Sequence, residues 1–216
     1  EAWPTRLYGP RGPDRAELDK VVPWRPVLLF DDSGHSMWAN SSMLWVLGVD
    51  RDTVDRAPGL SFFARGPDGE PTGWIKEFAA VPELSDQMVP ADEVLRAGLS
   101  DFLDHISAPG QTTLRYYGSY HIIYPAQLDN AVNELHRLRE TYGGRRLHFN
   151  TIKIHFDGVS EVRTAAMLDG YADDPEWRGR TLISEDRLTE FLGELNAADI
   201  DLHLHAVGDQ ATRTAL

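Results

Sequence analysis

The chain has 216 residues, 42% of them hydrophobic and 25% charged, a globular composition that permits one domain or one and a half. Its 34 Asp and Glu against 21 Lys and Arg give a net charge of −13, which argues against a nucleic-acid or anionic-membrane partner. There is no cysteine, so disulfides and cysteine metal sites are excluded, and a transition-metal site must use His, Asp, Glu or a modified Lys.

The first 85 residues carry signals for short, mixed elements. Residues 1–25 are rich in Pro, Gly and Arg and predict a loop, whereas 27–30 is a short apolar run typical of a strand. Asn40 is suited to cap a helix that runs to residue 48. The Gly- and Pro-rich stretch 55–75 predicts short strands and turns, so we expect residues 1–85 to form an inserted cap region of mixed α and β structure.

From residue 91 onward, strand and helix signals alternate. Helical spacing of apolar residues and strand-like runs are found, in chain order, over 91–106 (helix), 114–123 (strand), 126–142 (helix), 147–156 (strand), 184–198 (helix) and 200–207 (strand). Such alternation predicts βα units, and therefore a parallel sheet or barrel in residues 86–216.

Polar residues occupy one face of two of these strands. In 147–156, Lys153 and His155 share a face opposite an apolar one, and in 201–206 His205 lies on the polar face. A barrel strand places catalytic groups on its inner face at the C-terminal mouth, where a Lys and several His could bind a metal. Exposed or hydrogen-bonded structural histidines are the alternative.

Four sequence blocks resemble one family. They are 34–41 (GHSMWANS), 71–77 (PTGWIKE), 152–158 (IKIHFDG, followed by Arg163-Thr164-Ala165) and 205–211 (HAVGDQA). In this order they are similar to the signature blocks of the YtcJ-like branch of the amidohydrolases, the amidohydrolase 3 group, and together they span most of the chain.

The resemblance implies an α/β fold, a partial (β/α)8 TIM-type barrel with an inserted cap region. It also implies a metal-dependent hydrolase that cleaves a C–N bond other than a peptide bond, in an amide, an N-formyl group or a cyclic amide, by metal-activated water. Lys153 would be the metal ligand from the fourth barrel strand, with an N6-carboxylysine bridging two metals as one form, and His205 the ligand from the fifth. The implied cofactor is one or two Zn²⁺, with another divalent metal as the alternative.

The chain departs from the family pattern in its ligand set. No His-x-His pair precedes residue 203, and the His and Asp that the family has on its sixth and eighth strands are not in the sequence. Gly110 runs into the strand at 114 without the crossover that parallel strands need. We therefore expect an incomplete chain that lacks residues near 109–114 and contains barrel strands from about the second to the fifth.

The departures leave two alternatives open. A metal-free regulatory or binding homologue of the same fold would explain the lack of His-x-His, and an unrelated barrel enzyme could use Lys153 as a Schiff-base amine. No catalytic residue is assigned within this chain.

Six residues are candidates for substrate contacts: His121, His155, Asp157, Arg163, His35 and Trp38. Structural roles are the alternative for three of them, since His35 could order the helix start, Asp157 could form a turn and Trp38 could pack in the cap. The expected partner is a small-molecule substrate, and self-association into a homo-oligomer is left open. No apolar run approaches the roughly 18 residues of a membrane span and no signal peptide opens the chain, so we expect a cytoplasmic protein without a membrane partner.

Overall fold

The computed structural model describes residues 2–77, 80–81, 91–110 and 113–216. Strands in these ranges form two sheets and are β1 (Leu28–Phe30), β2 (Ser36–Ala39), β3 (Phe62–Arg65), β4 (Pro71–Lys76), β5 (Tyr116–Ile122), β6 (Leu147–His155) and β7 (Asp201–His205). The α-helices are α1 (Arg15–Val21), α2 (Ser41–Val46), α3 (Asp92–Ser107), α4 (Ala131–Tyr142), α5 (Glu185–Ala197) and α6 (Asp209–Ala215), and 3-10 helices span Thr5–Arg11 and Pro125–Asn130.

The first sheet is antiparallel, with strand order β1-β2-β4-β3. Met37, Ile75 and Phe63 are cross-strand partners, so their side chains share one face of the sheet. That face is closed by Leu44 of α2, and these four residues belong to one buried cluster. The opposite face of β4 carries Trp74 and Lys76.

The second sheet is parallel, with strand order β5-β6-β7. Ile122 and Ile154 are paired in register and fully buried, and they pack in one core with Leu135 of α4 and Phe191 of α5. The helices lie in the crossovers between successive strands, as a parallel sheet requires. The predicted alternation of faces along β6 is therefore confirmed, since its apolar face is covered by helices.

The two sheets meet near the C-terminal ends of the parallel strands. Leu60, which precedes β3, belongs to the same buried cluster as Ile154. Trp74 of β4 packs against Val159 and Val162, which lie in the loop that follows β6. These contacts bring the end of β4 over the mouth of the parallel sheet.

The predicted elements match the structure except near the start of the chain. Residues 1–25, predicted as loop, contain a 3-10 helix and α1, so that prediction is wrong. The side chain of Asp14 caps α1 by accepting a hydrogen bond from the backbone N–H of Ala16 at 2.8 Å. The local Pro and Gly content obscured this Asp-x-x-Glu helix start.

The parallel sheet has three strands in the described ranges and is not closed there into a barrel. The α/β class is confirmed, whereas the closed barrel and the division into 1–85 and 86–216 stay predictions. The expected break near 109–114 falls partly on residues 111–112, outside the described ranges. None of the helices in those ranges combines the length and hydropathy that crossing a bilayer needs.

Candidate metal centre

The polar face of the parallel sheet gathers four of the predicted site residues. Lys153 is paired in register with His121 of β5 on one side and with His203 of β7 on the other, and His155 is paired with His205. The imidazole rings of His155 and His205 are stacked, with centroids 4.3 Å apart and planes 10° apart. The ring centroid of His121 is 6.1 Å from that of His155. The C-terminal mouth of the sheet is thus lined with histidine.

The antiparallel sheet adds two groups from above this mouth. His35 immediately precedes β2, Glu77 immediately follows β4, and the backbone N–H of Glu77 donates to the carbonyl of His35 at 2.9 Å. His35 Nδ1 lies 2.9 Å from Glu77 Oε2, and His155 Nε2 lies 3.5 Å from the same oxygen. A single carboxylate therefore links a histidine of each sheet.

Glu77 is held rigidly in this position. Its exposed fraction is 2%, and its Oε1 accepts a hydrogen bond of 2.6 Å from the buried hydroxyl of Thr164. Burial alone would raise the pKa of Glu77, but its contacts with His155, His35 and Thr164 outweigh burial and lower the pKa to about 2. Its φ of 60° is in the left-handed region, a conformation that non-glycine residues adopt at a cost of roughly 1–2 kcal/mol and that is enriched at functional sites.

The His35–Glu77–His155 group fits a divalent metal. Its three candidate ligand atoms lie within 4.8 Å of one another. Zinc bonds of roughly 2.0–2.1 Å place neighbouring tetrahedral ligands roughly 3.3 Å apart, and the distances from Glu77 Oε2 to the two histidine nitrogens, 2.9 and 3.5 Å, lie on either side of that value. His155 Nε2 is buried and makes no hydrogen bond with the described residues, since its 3.5 Å contact with Glu77 Oε2 lacks hydrogen-bond geometry, so its lone pair is available to a metal.

The surroundings of two histidines at the mouth favour the neutral imidazole, which keeps a nitrogen lone pair to bind a metal or accept a hydrogen bond. Burial lowers the pKa of His121 to about 4, with smaller contributions from Lys153 and the neighbouring histidines. Burial also lowers the pKa of His205, and the charge of His155 acts in the same direction. His205 Nε2 lies 3.3 Å from the carbonyl oxygen of Gly158, and we assign the proton to Nε2, which leaves Nδ1 as the lone-pair nitrogen.

Three predicted substrate-contact residues lie away from the imidazole cluster. Asp157 is fully buried, and its carboxylate accepts hydrogen bonds from the backbone N–H groups of Ala166, Val207 and Gly208 at 2.8–2.9 Å. This geometry favours a role in positioning the ends of β6 and β7. A direct substrate contact by Asp157 stays a prediction.

Trp38 and Arg163 face other parts of the molecule. Trp38 is buried, donates from Nε1 to the carbonyl of Asp14 and packs edge-on against Tyr8, the packing role that was its alternative. Arg163 forms an ion pair with Asp173 and lines a cleft on the other side of β4.

Sequence reasoning missed three residues near the site: Glu77, Thr164 and Lys76. Glu77 ends one of the signature blocks and Thr164 is the centre of Arg-Thr-Ala, so both lay in recognised motifs without an assigned role. Lys76 is buried with its Nζ 3.9 Å from the centroid of the Trp74 ring. Burial, followed by the charge of Arg163, lowers the pKa of Lys76 to about 7.

Comparison with known proteins points to one family. The sequence model of the group described as "Amidohydrolase family" matches residues 4–216. The exoenzymes regulatory protein AepA of Pectobacterium carotovorum subsp. carotovorum is 26% identical in an alignment of 229 positions that covers 94% of this chain and 49% of AepA.

Two further relatives carry enzyme names. YtcJ of Bacillus subtilis (strain 168), whose name assigns it provisionally to the amidohydrolases, is 28% identical in an alignment of 223 positions that covers 93% of this chain and 41% of YtcJ. The N-substituted formamide deformylase of Arthrobacter pascens is 40% identical over 70 residues, 32% of this chain and 12% of that enzyme. The chain spans less than half the length of AepA and of YtcJ.

Proposed function

Because this chain belongs to the amidohydrolase family and resembles its YtcJ-like members, we propose that it is part of a metal-dependent hydrolase that cleaves a C–N bond in a small molecule. The observation that carries the proposal is the convergence of His35, Glu77 and His155, with donor atoms spaced for a metal, on the mouth that Lys153 and His205 also line. The bond would be that of an amide, an N-formyl group or a cyclic amide, and the name of the Arthrobacter relative supports the N-formyl class.

We propose Zn²⁺, one or two ions, because the donors on this face are imidazole, carboxylate and amine and the sequence has no cysteine. Lys153, in carboxylated form, and His205 are the ligands that the family pattern supports, and the His35–Glu77–His155 group is the donor set that the distances support. When bound, such a metal polarises a carbonyl group and acidifies water.

The side chains of this chain would orient the substrate and the ligands. The low pKa of His121 keeps its ring neutral at pH 7, so it can both donate and accept a hydrogen bond at the edge of the mouth. The carbonyl of Gly158 fixes the orientation of the His205 ring, and Thr164 and His35 fix that of Glu77.

A metal-free regulatory or binding homologue is the second candidate. The name of AepA, a relative that aligns with 94% of this chain, favours it. It predicts the same fold with an intact histidine cluster that neither retains a metal nor supports hydrolysis.

Hydrolysis assays of the full-length protein separate the two candidates. We expect metal-stripped protein reloaded with Zn²⁺ to cleave at least one of an N-alkylformamide, an N-acyl amino acid and a cyclic amide. His205→Ala should lower kcat/KM by about 100-fold or more, because even the outer-shell partners of metal ligands contribute about 10- to 100-fold.

His148→Ala is the matched control, since His148 lies at the opposite end of the parallel sheet against Tyr117. Its kcat/KM should stay near that of the unmodified protein. Absence of hydrolysis on every substrate, with Zn²⁺ and with other divalent metals, would favour the regulatory candidate.

A further inference from the structure

A cleft of about 710 Å³ lies on the face of β4 opposite Glu77. Side chains alternate along a strand, so Trp74 and Lys76 point to this side of β4 and Glu77 to the other. Its walls come from the segment before α1, from β3 and β4, and from the loop that carries Arg163. Its volume is within the range of small-molecule sites, roughly 300–1,000 Å³.

The inner wall of the cleft presents one hydrogen-bond donor that lacks an acceptor, the amine of Lys76. Lys76 is 6% exposed, and its Nζ lies 3.9 Å from the centroid of the Trp74 ring and 5.2 Å from that of Phe62. In the described part of the chain Lys76 makes no hydrogen bond and no ion pair, although its amine carries several N–H donors. A largely buried amine normally has hydrogen-bond acceptors, so the wall is suited to a ligand that accepts hydrogen bonds from Lys76.

The charges of the cleft favour an anionic ligand over a cationic one. Arg163 lines the cleft together with Lys76, and Arg163 is only 8% exposed. The charged residues that line the cleft are four cationic ones (Arg11, Arg65, Lys76 and Arg163) and three acidic ones (Asp14, Glu17 and Asp174). The amine of Lys76 already covers the Trp74 ring, where a cationic ligand would bind. A second cation would therefore meet the charges of Lys76 and Arg163.

Aromatic rings cover another part of the wall. Phe62 and Trp177 lie with ring centroids 5.9 Å apart and planes tilted by 59°, and both line the cleft. Flat apolar groups gain from contact with such rings in addition to the burial of their surface. The cleft thus combines a polar inner end with an apolar wall.

We propose that this cleft binds a small organic anion, a carboxylate on a flat apolar body, with the carboxylate accepting from Lys76 and the body lying against Phe62 and Trp177. The site is on the other face of β4 from the candidate metal centre. It therefore does not depend on the proposed hydrolase function and can be tested without metal.

The first test uses the unmodified full-length protein after metal removal and dialysis, so that carboxylate binding to a metal does not contribute. Saturation-transfer NMR is recorded with phenylacetate, with the neutral 2-phenylethanol and with the cationic 2-phenylethylamine. We expect phenylacetate to bind about 10-fold more tightly than 2-phenylethanol, because a hydrogen bond that involves a charged group is stronger than one between neutral groups. The amine should bind most weakly, and equal or reversed affinities would overturn the proposal.

The second test assigns the site. Lys76→Met should weaken phenylacetate binding about 10-fold, whereas Lys20→Met, which removes an exposed lysine from the last turn of α1, should leave it unchanged. Circular dichroism checks that both variants fold. Undiminished binding by a folded Lys76→Met protein would contradict the proposal, and if that variant does not fold, the order of the three probes on the unmodified protein decides.

Discussion

Asp157→Ala is expected to destabilise the protein by about 4 kcal/mol. The carboxylate of Asp157 is fully buried and accepts three backbone hydrogen bonds, from Ala166, Val207 and Gly208. Alanine would leave the N–H groups of Ala166 and Gly208 buried without an acceptor, at about 1–3 kcal/mol each, in addition to the lost charged hydrogen bonds. Urea unfolding followed by circular dichroism measures the change.

Asp201→Ala is the matched control for this substitution. Asp201 begins β7, is exposed and accepts a single long hydrogen bond from Asn150, at 3.4 Å. Its loss should change the free energy of unfolding by no more than about 0.5 kcal/mol. Equal effects of the two substitutions would mean that Asp157 does not hold the ends of β6 and β7.

Glu77→Gln is expected to remove a pH-dependent part of the stability of the metal-free protein. The pKa of Glu77 is lowered from its usual 4.5 to about 2, because its contacts with His155, His35 and Thr164 outweigh the opposite effect of burial. A tenfold change in proton affinity corresponds to about 1.4 kcal/mol, so the carboxylate contributes about 3 kcal/mol. Since the folded-state pKa is the lower one, this contribution is present above pH 4.5 and is lost as the pH falls towards 2.

Urea midpoints at pH 7 and pH 3 measure this contribution. The stability margin of the unmodified protein over Glu77→Gln should shrink by about 2 kcal/mol between the two pH values. Glu161→Gln, at an exposed carboxylate in the loop after β6, should show no such change in margin. Parallel pH dependence of the unmodified protein and Glu77→Gln would refute the hydrogen-bonded, ionised state of Glu77.

Sequence periodicity was sufficient to predict the parallel sheet. Apolar residues alternate along 147–156 because one face of β6 packs against helices, and the same alternation put Lys153 and His155 on the other face. In the register of β6 and β7, His155 lies beside His205. Local pattern and tertiary packing agree in this half of the chain.

The contribution of the antiparallel sheet to the site could not be predicted in the same way. Glu77 and His155 are 78 residues apart in sequence and belong to different sheets, so their 3.5 Å approach depends on how the sheets pack. The position of Glu77 at the end of a signature block was the one indication in the sequence. Its burial, which indicates a functional role, depends on the packing of the two sheets and cannot be read from the local sequence. Helix α1 was not predicted because its N-cap residue, Asp14, lies between Pro13 and Arg15 in a stretch whose composition is typical of a loop.

Elemental analysis of the full-length protein tests the central claim most directly. We expect about one or two zinc ions per chain, held by the imidazole, carboxylate and lysine groups of the mouth. Lys153→Ala and His205→Ala should each lower the metal content, while His148→Ala should retain it. A full-length protein that is purified without metal, and that takes up none when dialysed against Zn²⁺ or other divalent metals, would contradict the account.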